Sequence, residues 1–316
     1  MVDTKEIKIK NLKELSKQKE RLAPGHRMCP GCGAAIIARM IMHSTENEIV
    51  VANATGCLEV STTIYPYTSW RVPWIHNAFE NAAATLSGVE TAFRSLKKKN
   101  KTKKDIKFLA FGGDGGTYDI GLQSLSAALE RGHDFVYVCY DNEAYMNTGI
   151  QRSSATPYGA STKTDPAGKV RPGKLEFKKD LMEVVAGHGI PYLAQASPHN
   201  WADLMKKAKK AFETPGPAFL LVLSPCIPGW GMPNNKTIEI AKLAVDTNFW
   251  PLYEIEKGKY TLNYDPKDKA KPIIEWLKSQ NRFKHLLLPK NSSMIQTIQD
   301  HADKKMNYLR MRANEK

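Results

Sequence analysis

The chain has 316 residues, 42% hydrophobic and 25% charged, ordinary values for a globular protein with a sizeable core. No apolar run approaches the ~20 residues that span a bilayer, and the start MVDTKEIKIKNLKELSKQKERL is too charged for a signal peptide, so a cytoplasmic chain without a membrane partner is expected. The formal net charge of +14 invites a nucleic-acid reading, but the lysines gather in the N-terminal arm, in Lys97 to Lys104 and near Lys304 and Lys305 without aromatic interleaving, a pattern of solvated faces or contacts to acidic partners rather than of nucleic-acid binding.

After a basic arm over 1–21, the spacing of apolar residues in Ala34 to His43 predicts a helix, and Glu48 to Ala52 a strand running into the Gly56-Cys57 turn. Asn77 to Leu96 reads as a helix of small residues. Ile106 to Phe111 is an apolar run of strand length, Ile120 to Glu130 a helix and Phe135 to Tyr140 a buried strand. Strand, helix and strand at this spacing indicate a right-handed crossover in a parallel sheet. From Asp141 to about Asp180 the chain is polar and rich in Gly, Pro and Ser, and a loop that long in a compact domain is usually functional or disordered. Alternation resumes with helix Leu181 to Gly187, strand Pro191 to Gln195, helix Trp201 to Phe212 and strand Ala218 to Leu223. From Thr237 onward come a helix, the hairpin-like LYEIEKGKYTLNY and two amphipathic helices, Ile273 to Ser279 and Met294 to Met311. The expected architecture is α/β, a parallel sheet with helices on both faces over 22–234, then a C-terminal extension over 235–316 packing on that domain or on a partner subunit.

Four cysteines stand in Gly/Pro-flanked settings: Cys29 and Cys32 in MCPGCG, Cys57 in ATGCLEV and Cys226 in SPCIPG. In a reducing compartment they read as ligands before disulfides. A lone C-x-x-C is open between a zinc site, a redox pair and a cluster; zinc usually takes two local pairs, whereas Cys57 and Cys226 stand alone, which favours an iron–sulfur cluster. Cys139, inside FVYVCY, reads as a small core hydrophobe. The GGDGG of Gly112 to Gly116 ends an apolar run, and an Asp followed by glycines that open the next helix can offer a carboxylate to Mg²⁺ and amides to phosphate. Asn142, after the following strand, can supply a second oxygen to the same metal. Cys57, Asp114, Asn142 and Cys226 all fall just after predicted strands, so one edge of one sheet is expected to carry them. His26, Glu59 and His76 are nearby polar candidates; a hydrogen-bonded histidine and a capping carboxylate are the plainer readings beside a catalytic one.

Together, LAPGHRMCPGCG, NATGCLEV, YPYTSWRVPWIHNAFENAAATLSG, FGGDGGTYDIG, DNEAYMNTGIQRSSATPYGA and SPC, from about Leu22 to Trp230, closely resemble the β subunit of pyruvate:ferredoxin oxidoreductase, with a weaker echo in TLNYDPK and QNRFKHL. The resemblance implies a thiamine diphosphate-binding fold and oxidative decarboxylation of a 2-oxoacid, forming an acyl-CoA and passing electrons through [4Fe–4S] clusters to ferredoxin. It implies that Cys29, Cys32, Cys57 and Cys226 ligate one [4Fe–4S] cluster, and that Asp114, Asn142 and the Ala144 carbonyl bind Mg²⁺. Gly115, Gly116 and Thr148 would hold the diphosphate, Gly113 and Cys57 count among the cofactor-binding residues, and Asn147, the catalytic candidate, would face the thiazolium C2 and the substrate. Family members supply the carboxylate that activates the thiamine pyrimidine from another subunit, and the sequence has no C-x₂-C-x₂-C-x₃-C ferredoxin run. The resemblance therefore implies α-, γ- and δ-type partner subunits. The same subunit acting on 2-oxoisovalerate or oxalate is the near alternative. A zinc-stapled, basic nucleic-acid-binding protein is the distant one, and it leaves GGDGG and Asn142 without a role.

Overall fold

In the computed structural model, residues 9–315 are described, and the first eight residues of the basic arm lie outside them. Six strands run parallel: β1 (Glu48–Ala54), β2 (Trp74–Asn77), β3 (Ile106–Gly113), β4 (Val136–Asp141), β5 (Tyr192–Ala196) and β6 (Ala218–Leu223). The antiparallel hairpin β7 (Leu252–Glu256) and β8 (Lys259–Tyr264) extends the sheet, giving the order β2-β1-β3-β4-β6-β5-β7-β8. Every residue of β4 and β6 is buried, as a sheet covered on both faces requires.

The helices follow in chain order: α1 (Leu12–Leu15), α2 (Gly33–His43), α3 (Cys57–Val60), α4 (Ala82–Lys98), α5 (Leu122–Glu130), α6 (Leu181–Ala186), α7 (Trp201–Glu213), α8 (Ile227–Trp230), α9 (Thr237–Asp246), α10 (Ile274–Leu277) and α11 (Ser292–Asn314). Two cores result from the alternation of strand side chains. Val136, Val138 and Tyr140 face α2 and α7 in one core, while Tyr137 and Cys139 face α4, α5 and the C-terminal extension in the other. Cys139 is wholly buried, as its apolar run predicts. Among the described residues no helix is long and apolar enough to cross a membrane.

Two expectations need adjustment. The helix expected from Asn77 begins only at Ala82, because Trp74 to Asn77 pair with Val51 to Ala54 as the edge strand β2. The hairpin of the C-terminal extension does more than lie against the sheet: Tyr253 to Glu256 pair with Tyr192 to Gln195, making the sheet mixed rather than purely parallel.

The chain turns outward from β1 to β2, then crosses back to place β3 on the other side of β1. At such a reversal the loops leaving neighbouring strands diverge and open a crevice at their carboxyl ends. The loops after β1, β3, β4 and β6 begin there.

Candidate active site

A cleft at this edge is lined by Thr55, Gly56 and Cys57 after β1, Gly113 to Gly116 at the end of β3, and Tyr140, Asn142 and Ala144 to Thr148 around the end of β4. Every residue that the resemblance assigned to Mg²⁺ or diphosphate lines it: Gly113, Asp114, Gly115, Gly116, Asn142, Ala144 and Thr148, with Asn147 beside them, whereas of the four cysteines assigned to the cluster only Cys57 does. Asn147 and Thr148 are exposed at its mouth. Gly115 must be a glycine, since a Cβ there would stand 2.2 Å from the Tyr145 ring, whose hydroxyl donates to the Gly115 carbonyl at 3.1 Å.

Three oxygens converge in the cleft. The Asn142 side-chain oxygen lies 2.8 Å from Asp114 Oδ1 and 2.8 Å from the Ala144 carbonyl oxygen, with no hydrogen between them. For an unaided amide this is the wrong way round, since turning it over would let its nitrogen donate to both. A hard divalent cation, ligated by oxygens, reverses that preference. Burial, then the charge of Asp141, pushes the Asp114 carboxyl well above the usual carboxylate range although Ser153 Oγ donates to it. A buried carboxylate so disfavoured gains from a cation. Asp114, Asn142 and Ala144 therefore fit Mg²⁺.

The loop bearing these oxygens is braced by residues with no local signal in the sequence. Glu143 has φ +70°, is fully buried, and points away from the cleft to pair with Arg282 and, at 3.2 Å, Lys178. Lys178 also pairs with Asp141 at 2.6 Å. Trp230 Nε1 donates to the Asn142 carbonyl at 2.8 Å, and the Arg282 guanidinium lies 4.1 Å from the Trp230 ring centroid. The C-terminal extension thus reaches into the back of the site.

Three of the four cysteines sit at helix starts. Cys32 and Cys226 are the N-caps of α2 and α8, and Cys57 is the first residue of α3. Amides of Ala34 and Ala35 face the Cys32 sulfur, that of Gly229 faces Cys226, and the Asn147 side chain approaches Cys57. Gly31, at φ +78°, turns the Cys29–Cys32 loop where a Cβ would meet the Asn234 carbonyl at 2.1 Å. Burial pushes the Cys57 thiol up to about 11 and Cys226 to about 12, with the charges of Cys32 and Cys29 raising both further. Among the described residues, however, no three His, Cys, Asp or Glu side chains gather closely enough to hold a single metal ion. Cysteines that do not gather around one point, with amides facing Cys32 and Cys226, fit the separate corners of a multi-iron cluster better than one tetrahedral zinc.

Glu59 is neither in the cleft nor a cap: it is buried and accepts from His76 Nδ1 at 3.1 Å. His26 Nδ1 is buried without a partner. A cavity of ≈ 420 Å³ lies at the opposite edge against Glu48 and Ile106, and no site residue chosen from the sequence lines it.

Residues 54–222 match the family described as "Thiamine pyrophosphate enzyme, C-terminal TPP binding domain". The chain is 54% identical over 294 residues to the pyruvate synthase subunit PorB of Methanocaldococcus jannaschii, covering 92% of this chain and 97% of that one. It is 46% identical to the ketoisovalerate oxidoreductase subunit VorB of Pyrococcus abyssi, covering 84% and 86%. A 2-oxoglutarate:ferredoxin oxidoreductase structure from Magnetococcus marinus superposes with a TM-score of 0.55 at 20% identity, covering 71% of this chain and 79% of that one, a likeness of fold.

Proposed function

The chain belongs to the family of pyruvate synthase PorB subunits and carries its thiamine pyrophosphate-binding domain, and on that premise we propose that it is the β subunit of a pyruvate:ferredoxin oxidoreductase. The observation that carries the reading is the convergence of Asn142, Asp114 and Ala144 oxygens in a cleft that Cys57 also lines. Thiamine diphosphate, when bound, supplies the carbon at which a 2-oxoacid loses CO₂, and a neighbouring [4Fe–4S] cluster supplies a one-electron acceptor toward ferredoxin.

The roles of this chain's residues follow from their places. Asp114, Asn142 and the Ala144 carbonyl would hold Mg²⁺, and Gly115, Gly116 and Thr148 would receive the diphosphate. Asn147, exposed at the mouth and approaching Cys57, orients the reacting end. Cys29, Cys32, Cys57 and Cys226 would hold the cluster, with amides at the starts of α2 and α8 favouring negative charge on Cys32 and Cys226.

The cleft encloses only ≈ 20 Å³, against roughly 300–1,000 Å³ for pockets that bury a small ligand. A cofactor seated here keeps one side for another surface, which supports α-, γ- and δ-type partner subunits, coenzyme A and ferredoxin meeting the chain in a complex. The ketoisovalerate relative favours a branched 2-oxoacid as the second reading. Viologen reduction by the anaerobic complex, assayed over a panel of 2-oxoacids, separates the two: pyruvate with the highest kcat/KM supports the proposal, and 2-oxoisovalerate overturns its substrate.

A further inference from the structure

Tyr140 is the last residue of β4 on the face whose core Cys32 and Cys57 pack against. It is 1% exposed, and its Oη lies 2.7 Å from where a Cβ on Gly56 would stand and 3.4 Å from the same position on Gly113. The hydroxyl is thus lodged between the residue before Cys57 and the residue before Asp114. Both Tyr140 and Cys57 line the cleft; the other three cysteines do not. The Leu58 amide approaches the phenol oxygen without closing a full hydrogen bond, and the phenol proton has no acceptor among the described residues. An orphaned buried donor is costly and marks a place where something is meant to accept it. The nearby group that gains acceptor strength on metallation is the sulfur of Cys57, whose charge the phenol already feels.

We propose that the Tyr140 hydroxyl donates a hydrogen bond to the Cys57 thiolate and so tunes the cluster at the one ligand that borders the cofactor cleft. This rests on the cluster reading above. When the cluster accepts one electron its charge becomes more negative by one, the phenol proton stays on its oxygen, and no covalent bond forms or breaks. A donor to a ligand sulfur stabilises the added negative charge and raises the reduction potential. Tyr140 is then a positioning residue, making the cluster a better acceptor for electrons leaving the cleft.

The test is an EPR-monitored redox titration of the anaerobically purified complex, with the relevant cluster identified as the signal that disappears in Cys226→Ala. Tyr140→Phe should retain the cluster and shift its midpoint to a more negative potential. Incorporating 2,3-difluorotyrosine at position 140 keeps the shape but strengthens the donor, and should shift the midpoint positively. Tyr137→Phe, whose phenol lies on the other face 3.2 Å from Thr117 Oγ1, should leave it unchanged. An unchanged midpoint in Tyr140→Phe overturns the proposal. If that variant fails to assemble the cluster, the difluorotyrosine protein decides, and no positive shift overturns the proposal. A wild-type complex with iron-free Cys57 and Cys226 sinks the cluster reading itself, an outcome distinct from a shift that fails to appear.

Discussion

The Asn142 side chain stands 2.8 Å from both Asp114 Oδ1 and the Ala144 carbonyl oxygen, an arrangement that a cation between them would favour. The sequence spacing from GGDGG to Asn142 exposed this pair because each residue directly follows a strand and the two strands are neighbours, Gly113 opposite Tyr140. Ser153, which donates to Asp114, and Tyr145, which fills the space over Gly115, carried no such signal. Both come from a loop without periodicity, and only the folded chain brings them back. Away from the site, burial, reinforced by the charge of Lys242, lowers the pKa of His199 to about 4. The unfolded imidazole titrates near ~6.5. Between these values the unfolded chain binds a proton that the folded chain refuses, so stability is full above about pH 6.5 and falls as pH drops toward 4. Denaturant midpoints at pH 7.5 and pH 5 should differ in that sense, and His199→Gln should reduce the difference. An equal difference in both proteins would remove His199 as its source.

At the level of elements, the strands most legible from sequence were those buried on both faces, because β3, β4 and β6 are continuous apolar runs bounded by Gly, Asp or Ser-Pro. Trp74 to Asn77 was not legible: as a short edge strand with an exposed His76 it lacks both alternation and length. The hairpin of β7 and β8 could be read, but not its docking, since pairing Tyr192 with Glu256 is a long-range event no local pattern encodes. The same holds for Arg282 and Glu143, 139 positions apart. That pair locks a segment that local loop geometry cannot fix alone: Glu143 sits in a left-handed conformation between Asn142 and Ala144. Arg282→Met would leave a buried carboxylate with Lys178 as its remaining cation, at a cost of about 3–5 kcal/mol. We expect lower denaturant stability by about that amount and at least ~10-fold weaker thiamine diphosphate binding, with iron content unchanged and partial rescue by Arg282→Lys, as for supporting residues around a metal. Wild-type cofactor affinity in the folded variant would show that the brace does not position the loop.

The whole molecule presents an open cleft lined in part by Cys57 and a net charge of +14. If the cleft is completed by another subunit, the isolated chain loaded with cofactor and cluster should show no 2-oxoacid-dependent viologen reduction, and adding the partner subunits should restore it. Full turnover by the isolated chain would contradict the shared site. Electron delivery to an acidic ferredoxin should weaken with salt, as screening shortens to about 3 Å near 1 M.

The most direct test of the account is whether its two metal centres come apart by mutation. Iron, sulfide, magnesium and thiamine diphosphate are to be quantified in anaerobically purified complexes of wild type, Asp114→Asn, Cys226→Ala and Cys139→Ala. The account predicts that Asp114→Asn loses magnesium and thiamine diphosphate but keeps its iron. Cys226→Ala should lose about four iron and four sulfide per chain while keeping thiamine diphosphate, and Cys139→Ala should keep everything. Zinc in place of iron, or full thiamine diphosphate retention in Asp114→Asn, would contradict it.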